Sequence, residues 1–196
     1  MMIKKKRDYL LRKVAGRLIK VDPDVFYNVC EKCSVYLNKG RIMVKSRANP
    51  ADVCQLSRLA AKAQKGQIVD HINRDAFDNR RENLRIVNAR QSVLNRFTKS
   101  STGYTGVCIK KDKGKNVTHT YYYARFRSGK KRLCFYSPFT PKGLILCALA
   151  RDKFVLQAGD EEYAPLNFPV FKNEPFKTFL LRSDLNEHKK TNSSEK

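Results

Sequence analysis

The sequence predicts an α+β protein with two small domains. In the first half, short strand-like segments stand before and after a helix-like run. In the second half, three strand-like segments precede one long helix-like run. The length of 196 residues suits one or two modest cores. Together these observations predict a small α+β unit followed by a three-stranded antiparallel sheet packed on one helix.

The excess of basic residues indicates a polyanionic partner, and nucleic acid is the leading one. Lys and Arg number 41 against 18 Asp and Glu, which gives a formal charge of +23. Phosphate binding by such a protein is favoured because condensed counterions are released. No apolar run approaches the roughly 20 residues of a membrane-spanning helix, and residues 1–18 lack the apolar core of a signal peptide. The sequence therefore predicts a cytoplasmic protein with no membrane partner.

The six cysteines favour free thiols over a zinc site. Cys30 and Cys33 form the single CxxC pair, and no second CxxC or clustered His pair accompanies it. A structural zinc site needs four such ligands. Reduced thiols are the expected state of a protein that stays in the cytoplasm.

Residues 1–20 are predicted to be a basic N-terminal segment. Its apolar residues recur at nearly helical spacing. This pattern indicates a short amphipathic segment packed on the domain, a basic arm lying along a DNA backbone, or both.

The next segments are predicted to be strands and one helix. Residues 21–45 contain three strand-like runs, VFYNV, CSVYLN and RIMVKS, with a turn at Lys39-Gly40. Residues 50–63 are predicted to form a helix that begins at proline. Residues 67–69 are predicted to be a short strand that leads into Asp70.

Residues 69–96 carry the side chains that point most directly to a reaction. The stretch contains Asp70 and His71, then Asp-Asn-Arg at 78–80 and Glu-Asn-Leu at 82–84, and ends in a helix-like run. A carboxylate can hold a hard divalent cation, and a neighbouring imidazole can accept a proton from water. Metal-assisted hydrolysis of a phosphodiester uses both groups.

The spaced motif resembles the HNH nuclease family, in the branch found in homing endonucleases of phages and introns. The preceding YLNKG turn also matches that branch, so the resemblance covers residues 21–97. It implies a ββα-metal domain in which two antiparallel strands and a helix clasp one Mg²⁺ or Mn²⁺ ion. His71 is then the general base, Asp70 a metal ligand, and Asn83 the residue that braces the loop and orients the histidine. Arg80 becomes a candidate contact to a DNA phosphate.

One position departs from the family pattern. Family members usually carry His or Asn as a second metal ligand on the helix, where this sequence has Ser92. Asn95 lies three residues further on, about one helical turn away on the same face. Three outcomes remain open: Ser92 binds the metal directly or through water, Asn95 takes over, or the site is weakened or inactive.

The second domain is predicted over residues 103–170, after a linker at 98–102. Its three strands and one helix are predicted at 103–111, 119–127, 131–136 and 141–157. Alternation along the middle strand puts Tyr122, Ala124 and Phe126 on the face toward the helix. The other face is basic and carries tyrosines, as expected of a sheet that lies in a DNA groove.

This domain resembles the plant ethylene-response-factor (APETALA-type) DNA-binding domain. The resemblance covers about residues 101–169 and rests on Gly103-Tyr104-x-Gly106-Val107, Tyr123-Ala124-Arg125-Phe126-Arg127 and Leu166-Asn167-Phe168-Pro169. It implies that the exposed sheet face contacts double-stranded DNA, and the candidate residues are Lys110, Tyr123, Arg125, Arg127 and Arg132. Thr105 and Cys108 stand where that family often has arginine, so its preferred DNA sequence does not carry over.

The combined interpretation is a site-selective DNA endonuclease of the homing type, with a divalent metal and no small-molecule cofactor. The first alternative is a DNA-binding regulator with a degenerate, inactive HNH site. The second is an RNA- or ribosome-associated basic protein. Residues 171–196 form a C-terminal extension whose last residues are expected to be disordered. The oligomeric state stays open, with a monomer slightly favoured.

Overall fold

The computed structural model describes residues 9–96, 100–113, 118–129 and 131–185. The chain divides into two compact units, Met1–Arg96 and Phe97–Lys196. The described residues form one long helix, several short helices and four small antiparallel sheets, so the protein is a mixed α and β structure. Within those ranges, no helix combines the length and apolar composition that crossing a bilayer requires.

The described part of the N-terminal segment is a β-hairpin, and the helical spacing inferred for it was misleading. Strand β1 (Leu10–Val14) pairs antiparallel with β2 (Arg17–Val21). The connecting Ala15 and Gly16 both have positive φ, 48° and 80°, as a tight two-residue hairpin turn requires. Alternation along these strands buries their inward apolar residues, Val14, Ile19 and Val21.

The predicted strand VFYNV is also wrong, because this segment is helical. Helix α1 (Pro23–Val25) continues into a π-helical turn, Phe26–Cys30. Pro23 begins the helix, where its fixed φ is favourable and its missing N–H costs no bond. Val25 and Cys30 are buried in the core of this unit.

The predicted β-hairpin at residues 33–46 is confirmed. Strands β3 (Cys33–Asn38) and β4 (Arg41–Ser46) pair across the Lys39-Gly40 turn, and β5 (Val53–Gln55) adds to the other edge of β4. The predicted helix at 50–63 is therefore shorter, because its first part pairs with β4 as a strand. Only α2 (Leu56–Ala60) is helical, and Leu56 and Ala60 are fully buried.

The motif identified in the sequence lies on two strands and a helix. Strand β6 (Ile68–His71) pairs antiparallel with β7 (Leu84–Val87), which follows a 3₁₀ turn at Arg81–Asn83. Helix α3 (Ala89–Leu94) comes next and contacts both strands. A capping box fixes where α3 begins, since Asn88 and Gln91 each accept the other's backbone N–H.

The second unit contains one sheet and one long helix. The sheet has the order β10-β9-β8, with β8 at Val107–Lys113, β9 at Thr118–Ser128 and β10 at Lys131–Pro138. Helix α4 (Pro141–Gln157) packs on it, and Val107, Ala124 and Ala148 are buried between them. The first strand begins later than the predicted residue 103, because Gly103 and Gly106 have positive φ and belong to the preceding turns.

The last described elements are a 3₁₀ turn, Pro169–Lys172, and α5 (Phe176–Arg182), which contacts α4 and buries Leu180. The polar end HKKTNSSEK (188–196), whose last residues are predicted to be disordered, lies outside the described residues. Part of the predicted linker also lies outside them.

Gly143 is required where α4 leaves the sheet. An ideal Cβ at this position would lie 2.0 Å from the backbone oxygen of Pro138. Thr140 caps the helix by accepting a hydrogen bond from the Gly143 N–H at 3.0 Å. The close approach therefore fixes how the helix turns back onto the sheet.

Candidate functional site

Asn83 closes the loop that connects β6 to β7. Its amide oxygen accepts a hydrogen bond from the backbone N–H of Asn73 at 3.0 Å. Its amide nitrogen donates to the Asn73 side chain at 2.9 Å and to the Asp78 carbonyl at 2.8 Å. This single buried amide therefore joins the start of the loop to its end.

Asp78 forms a buried ion pair inside the same loop. Its side chain is fully buried and accepts two hydrogen bonds from Arg80, from Nε and Nη2, each at 2.7 Å. Burial alone would raise the pKa of Asp78, but the hydrogen bonds and charge of Arg80 outweigh it and lower that pKa. The bond to Asp78 also raises the pKa of Arg80. Arg80, a predicted phosphate contact, thus holds the loop and also pairs with Glu82.

The N-terminal hairpin supports this loop. The Lys20 carbonyl accepts a hydrogen bond from the Asn79 N–H at 2.8 Å, and the Lys20 N–H donates to the Phe77 carbonyl at 2.8 Å. Lys20 Nζ lies 3.9 Å from the Asp78 carboxylate. The hairpin therefore fixes the position of the loop segment that carries Asn79.

His71 is held by Asn79. The imidazole Nε2 lies 3.3 Å from the amide oxygen of Asn79, whose side chain is almost fully buried. The Asn79 amide nitrogen donates to the Ala76 carbonyl at 3.0 Å, which fixes the amide orientation. Because the amide oxygen only accepts, this contact is a hydrogen bond when Nε2 carries the ring proton, which leaves the lone pair of the neutral imidazole on Nδ1. The partner of the imidazole is thus Asn79, whereas Asn83, predicted to orient it, bonds to the loop.

Asp70 is held by two residues that the sequence did not single out as its partners. Arg85 donates to Asp70 Oδ2 from Nε at 3.0 Å and from Nη2 at 2.9 Å. Asn95 donates to the same oxygen at 2.9 Å and to the His71 carbonyl at 2.7 Å. Asn95 therefore presents its amide nitrogen here, which a cation cannot use as a ligand. The sequence could have revealed Arg85 only through the strand register, which places it opposite Asp70.

Ser92 and His71 lie on a common cavity. The cavity has a volume of about 490 Å³, and Asn79 also lines it. Ser92 and the candidate general base thus border the same space. Asp70, the residue before His71, turns toward Arg85 and Asn95.

The side chains present fit a hydrated Mg²⁺ or Mn²⁺ ion. Across the described residues, no group donates a hydrogen bond to the second carboxylate oxygen of Asp70, Oδ1. No cluster of three or more His, Cys, Asp or Glu residues occurs in that part of the chain. Mg²⁺ does not need such a cluster, because it retains several waters and is often bound by one or two carboxylates plus substrate phosphates. Asp70 Oδ1, with or without the Ser92 hydroxyl, meets that requirement.

The outer face of the second sheet is exposed and basic. Arg127 on β9 lies directly opposite Arg132 on β10, and Arg125 lies opposite Cys134. All three arginines are exposed. Like charges directly opposite each other destabilise a sheet. A bound anion would reduce the repulsion between Arg127 and Arg132.

Two other candidates on this face have partners within the sheet. Lys110 lies 3.4 Å from Asp112, and hydrogen bonds to Tyr121 and Asp112 raise its pKa. The Tyr123 hydroxyl lies 3.2 Å from Cys134 Sγ, a contact that raises the pKa of Tyr123, and its ring packs on Tyr136 at 4.8 Å. Lys110 is thus partly neutralised, and Tyr123 belongs to an aromatic cluster.

Comparison with known proteins identifies the motif region. Residues 56–94 match the family model described as HNH endonuclease. No curated protein and no solved structure matches the chain. The matched segment runs from α2 to α3 and includes Asp70, His71, Asn79, Asn83 and Ser92. Residues 56–94 are therefore similar to HNH endonucleases, which supports a nuclease and DNA-binding role.

Proposed function

We propose that this protein is a site-selective DNA endonuclease of the homing type, which acts on double-stranded DNA in the cytoplasm. The single observation that carries the proposal is the contact between His71 Nε2 and Asn79 Oδ1, within a segment that matches HNH endonucleases. A fixed imidazole with its lone pair on Nδ1 is suited to accept a proton from water.

In this mechanism His71 is the general base. Its Nδ1 removes a proton from the water that attacks the phosphorus, so that one P–O bond forms as the bond to the leaving oxygen breaks. Asn79 positions the imidazole, and Asn83 holds the loop that carries Asn79. Neither residue exchanges a proton with the substrate.

Asp70 is the proposed metal ligand. Arg85 and Asn95 occupy Oδ2 and fix the carboxylate plane, which leaves Oδ1 for Mg²⁺ or Mn²⁺. A divalent cation held there would polarise the scissile phosphate and stabilise the leaving oxygen. Ser92 is the proposed second contact, direct or through water.

The second unit is the proposed DNA-reading domain of the APETALA type, over residues 103–170, and the HNH domain spans residues 21–97. The strongest candidates for DNA contact on the exposed face of its sheet are Arg125 and the opposed pair Arg127 and Arg132. Lys110 and Tyr123 are secondary, since each already has a neighbour to bind. Together these side chains would grip phosphates and reach base edges.

The test is cleavage of a genomic DNA library with mapping of the new ends. The wild type should cut at a restricted set of sites with Mg²⁺ or Mn²⁺ and not with a chelator. His71→Ala should lower the rate by about 10²- to 10⁴-fold, and added imidazole should restore part of it. Equal background from both proteins would reject the nuclease.

A second candidate function is a DNA-binding regulator with an inactive HNH site. The ion pair between Asp70 and Arg85 favours it, because a cation must compete with a guanidinium for the same carboxylate. A serine hydroxyl at position 92 is also a weak ligand. Binding to duplex DNA that resists competition by RNA, without cleavage under any metal, would identify this function. Stronger competition by RNA would instead favour an RNA-associated protein.

A further inference from the structure

The cavity beside His71 has a basic rim that the proposed chemistry does not use. Besides His71 and Ser92, its wall includes Lys39, Arg41 and Arg58, and no Asp or Glu lies among the described lining residues. A volume of about 490 Å³ lies within the range of small-ligand sites, roughly 300–1,000 Å³. The cavity is therefore large enough for a nucleotide-sized segment of DNA backbone and has the charge to attract one.

The positive charges on this rim are not compensated by acidic groups. Neither Lys39 nor Arg41 forms an ion pair within the part of the chain that the structure describes, and both side chains are exposed. Arg58 donates to the backbone carbonyls of Gln64 and Gln67, which are neutral. Three guanidinium or ammonium charges thus border the cavity with no carboxylate beside them.

The turn that carries two of these charges is strained at its lysine. Lys39 and Gly40 have φ of 45° and 77°, and the pair Asn38–Arg41 closes the hairpin behind them. A non-glycine residue in the left-handed region costs roughly 1–2 kcal/mol, and Asn-Gly would serve this turn better than Lys-Gly. The turn nevertheless places Lys39 and Arg41 on the wall of the cavity that also contains His71.

We propose that the Lys39-Gly40-Arg41 turn is a phosphate clamp. Lys39 and Arg41 bind a backbone phosphate that flanks the scissile one and so hold the cleaved strand against His71. Arg58 fixes the adjacent wall of the cavity through its hydrogen bonds to the Gln64 and Gln67 carbonyls. The clamp rests on the nuclease function proposed above, but its binding step does not depend on cleavage.

The first test measures binding of the full chain in a His71→Ala background. Lys39→Gln/Arg41→Gln is compared with Arg47→Gln/Lys65→Gln, which removes the same charges from exposed positions outside the cavity. Two lost phosphate contacts should flatten the slope of log K against log salt by about 1.8 for the first pair. Binding at low salt should weaken on the order of 10-fold. Equal slopes for the two pairs, in proteins with equal melting temperatures, would overturn the clamp.

The second test locates the contact on the DNA. Neutral methylphosphonates are placed one at a time along the strand around the bound site. One position flanking the cut site should weaken binding of the parent protein and leave binding of Lys39→Gln/Arg41→Gln unchanged. A profile identical in both proteins would overturn the clamp. If such a position is found and no protein cleaves DNA, phosphate binding by the turn is supported and the nuclease function is rejected. If the protein cleaves DNA and no such position is found, the nuclease function is supported and the clamp is rejected.

Discussion

Arg85 and Asp70 lie directly opposite each other on adjacent strands, and Arg85 donates two hydrogen bonds to one oxygen of the Asp70 carboxylate. The arrangement fixes the carboxylate and points its second oxygen away from the guanidinium. It also places a positive charge beside the proposed metal ligand. The two effects predict opposite changes in the Mg²⁺ requirement when the guanidinium is removed, and we expect the loss of orientation to be the larger.

Arg85→Ala should lower cleavage by about 10- to 100-fold and raise the Mg²⁺ concentration needed for half-maximal rate. Residues that orient a metal ligand typically have effects of this size. The measurement is a Mg²⁺ titration of the cleavage rate, with Arg47→Ala as the control because Arg47 is exposed on the first unit. An unchanged or lower half-maximal concentration would contradict the proposed orienting role of Arg85.

Ser92→Asn should increase activity. The change supplies an amide oxygen at the position where members of the HNH family usually carry His or Asn, on the wall of the cavity that contains His71. The expected result is a severalfold lower half-maximal Mn²⁺ or Mg²⁺ concentration, whereas Ser92→Ala should raise it or leave it unchanged. If both substitutions give the wild-type metal dependence, Ser92 has no part in cation binding.

Asn79→Ala should lower kcat more than it raises KM, because Asn79 acts on His71 and not on the substrate. Asn79→Asp places a carboxylate beside the imidazole and favours its protonated form. The rate of this variant should therefore begin to fall at a higher pH than that of the wild type as acid is added. Identical pH–rate profiles would remove Asn79 from the site.

Asp78→Asn should destabilise the first unit by about 3 kcal/mol at pH 7, because it leaves the partly buried Arg80 without its main partner. The pKa of Asp78 is lowered below 3.8 in the folded protein. Its stabilisation is therefore present above the unfolded-state pKa and is lost as pH falls through the folded-state pKa. Urea unfolding should show a difference that is constant from pH 7 to 5 and shrinks below about pH 4. A difference that persists at lower pH would contradict this assignment.

Arg127→Gln/Arg132→Gln should have opposite effects on binding and stability. Loss of two exposed cations should weaken DNA binding and flatten its salt dependence. Loss of the repulsion between opposed arginines should stabilise the sheet by a few tenths of a kcal/mol. Lys142→Gln is the control, since Lys142 is exposed and belongs to α4 instead of a strand. Destabilisation together with unchanged binding would mean that the pair serves the fold.

Local sequence signals predicted part of this structure because their physical causes are local. The Lys39-Gly40 turn and the alternation from Cys33 to Ser46 specify a hairpin through φ preference and side-chain period. The Asp-His pair and the asparagines that follow it identified the segment that matches HNH endonucleases. The alternation of Tyr122, Ala124 and Phe126 gave the direction in which β9 faces.

The spacing of apolar residues gave the wrong secondary structure where the same residues fit both a helix and a strand. The apolar residues from 10 to 19 suit a helix by spacing, but Ala15 and Gly16 adopt positive φ and the segment pairs as a hairpin. VFYNV has strand-like composition, yet Pro23 starts a helical turn that buries Val25 and Cys30. In each case packing against the rest of the unit outweighed intrinsic preference.

The sequence by itself determined the type of site: a carboxylate, an imidazole and bracing amides in one short stretch of a strongly basic chain. Only the tertiary structure decided which side chains form hydrogen bonds with Asp70 and His71. Asp70 meets Arg85 and Asn95 across 15 and 25 residues, and His71 meets Asn79 across eight. Such contacts depend on strand register and helix packing, which bring together residues that no local pattern relates.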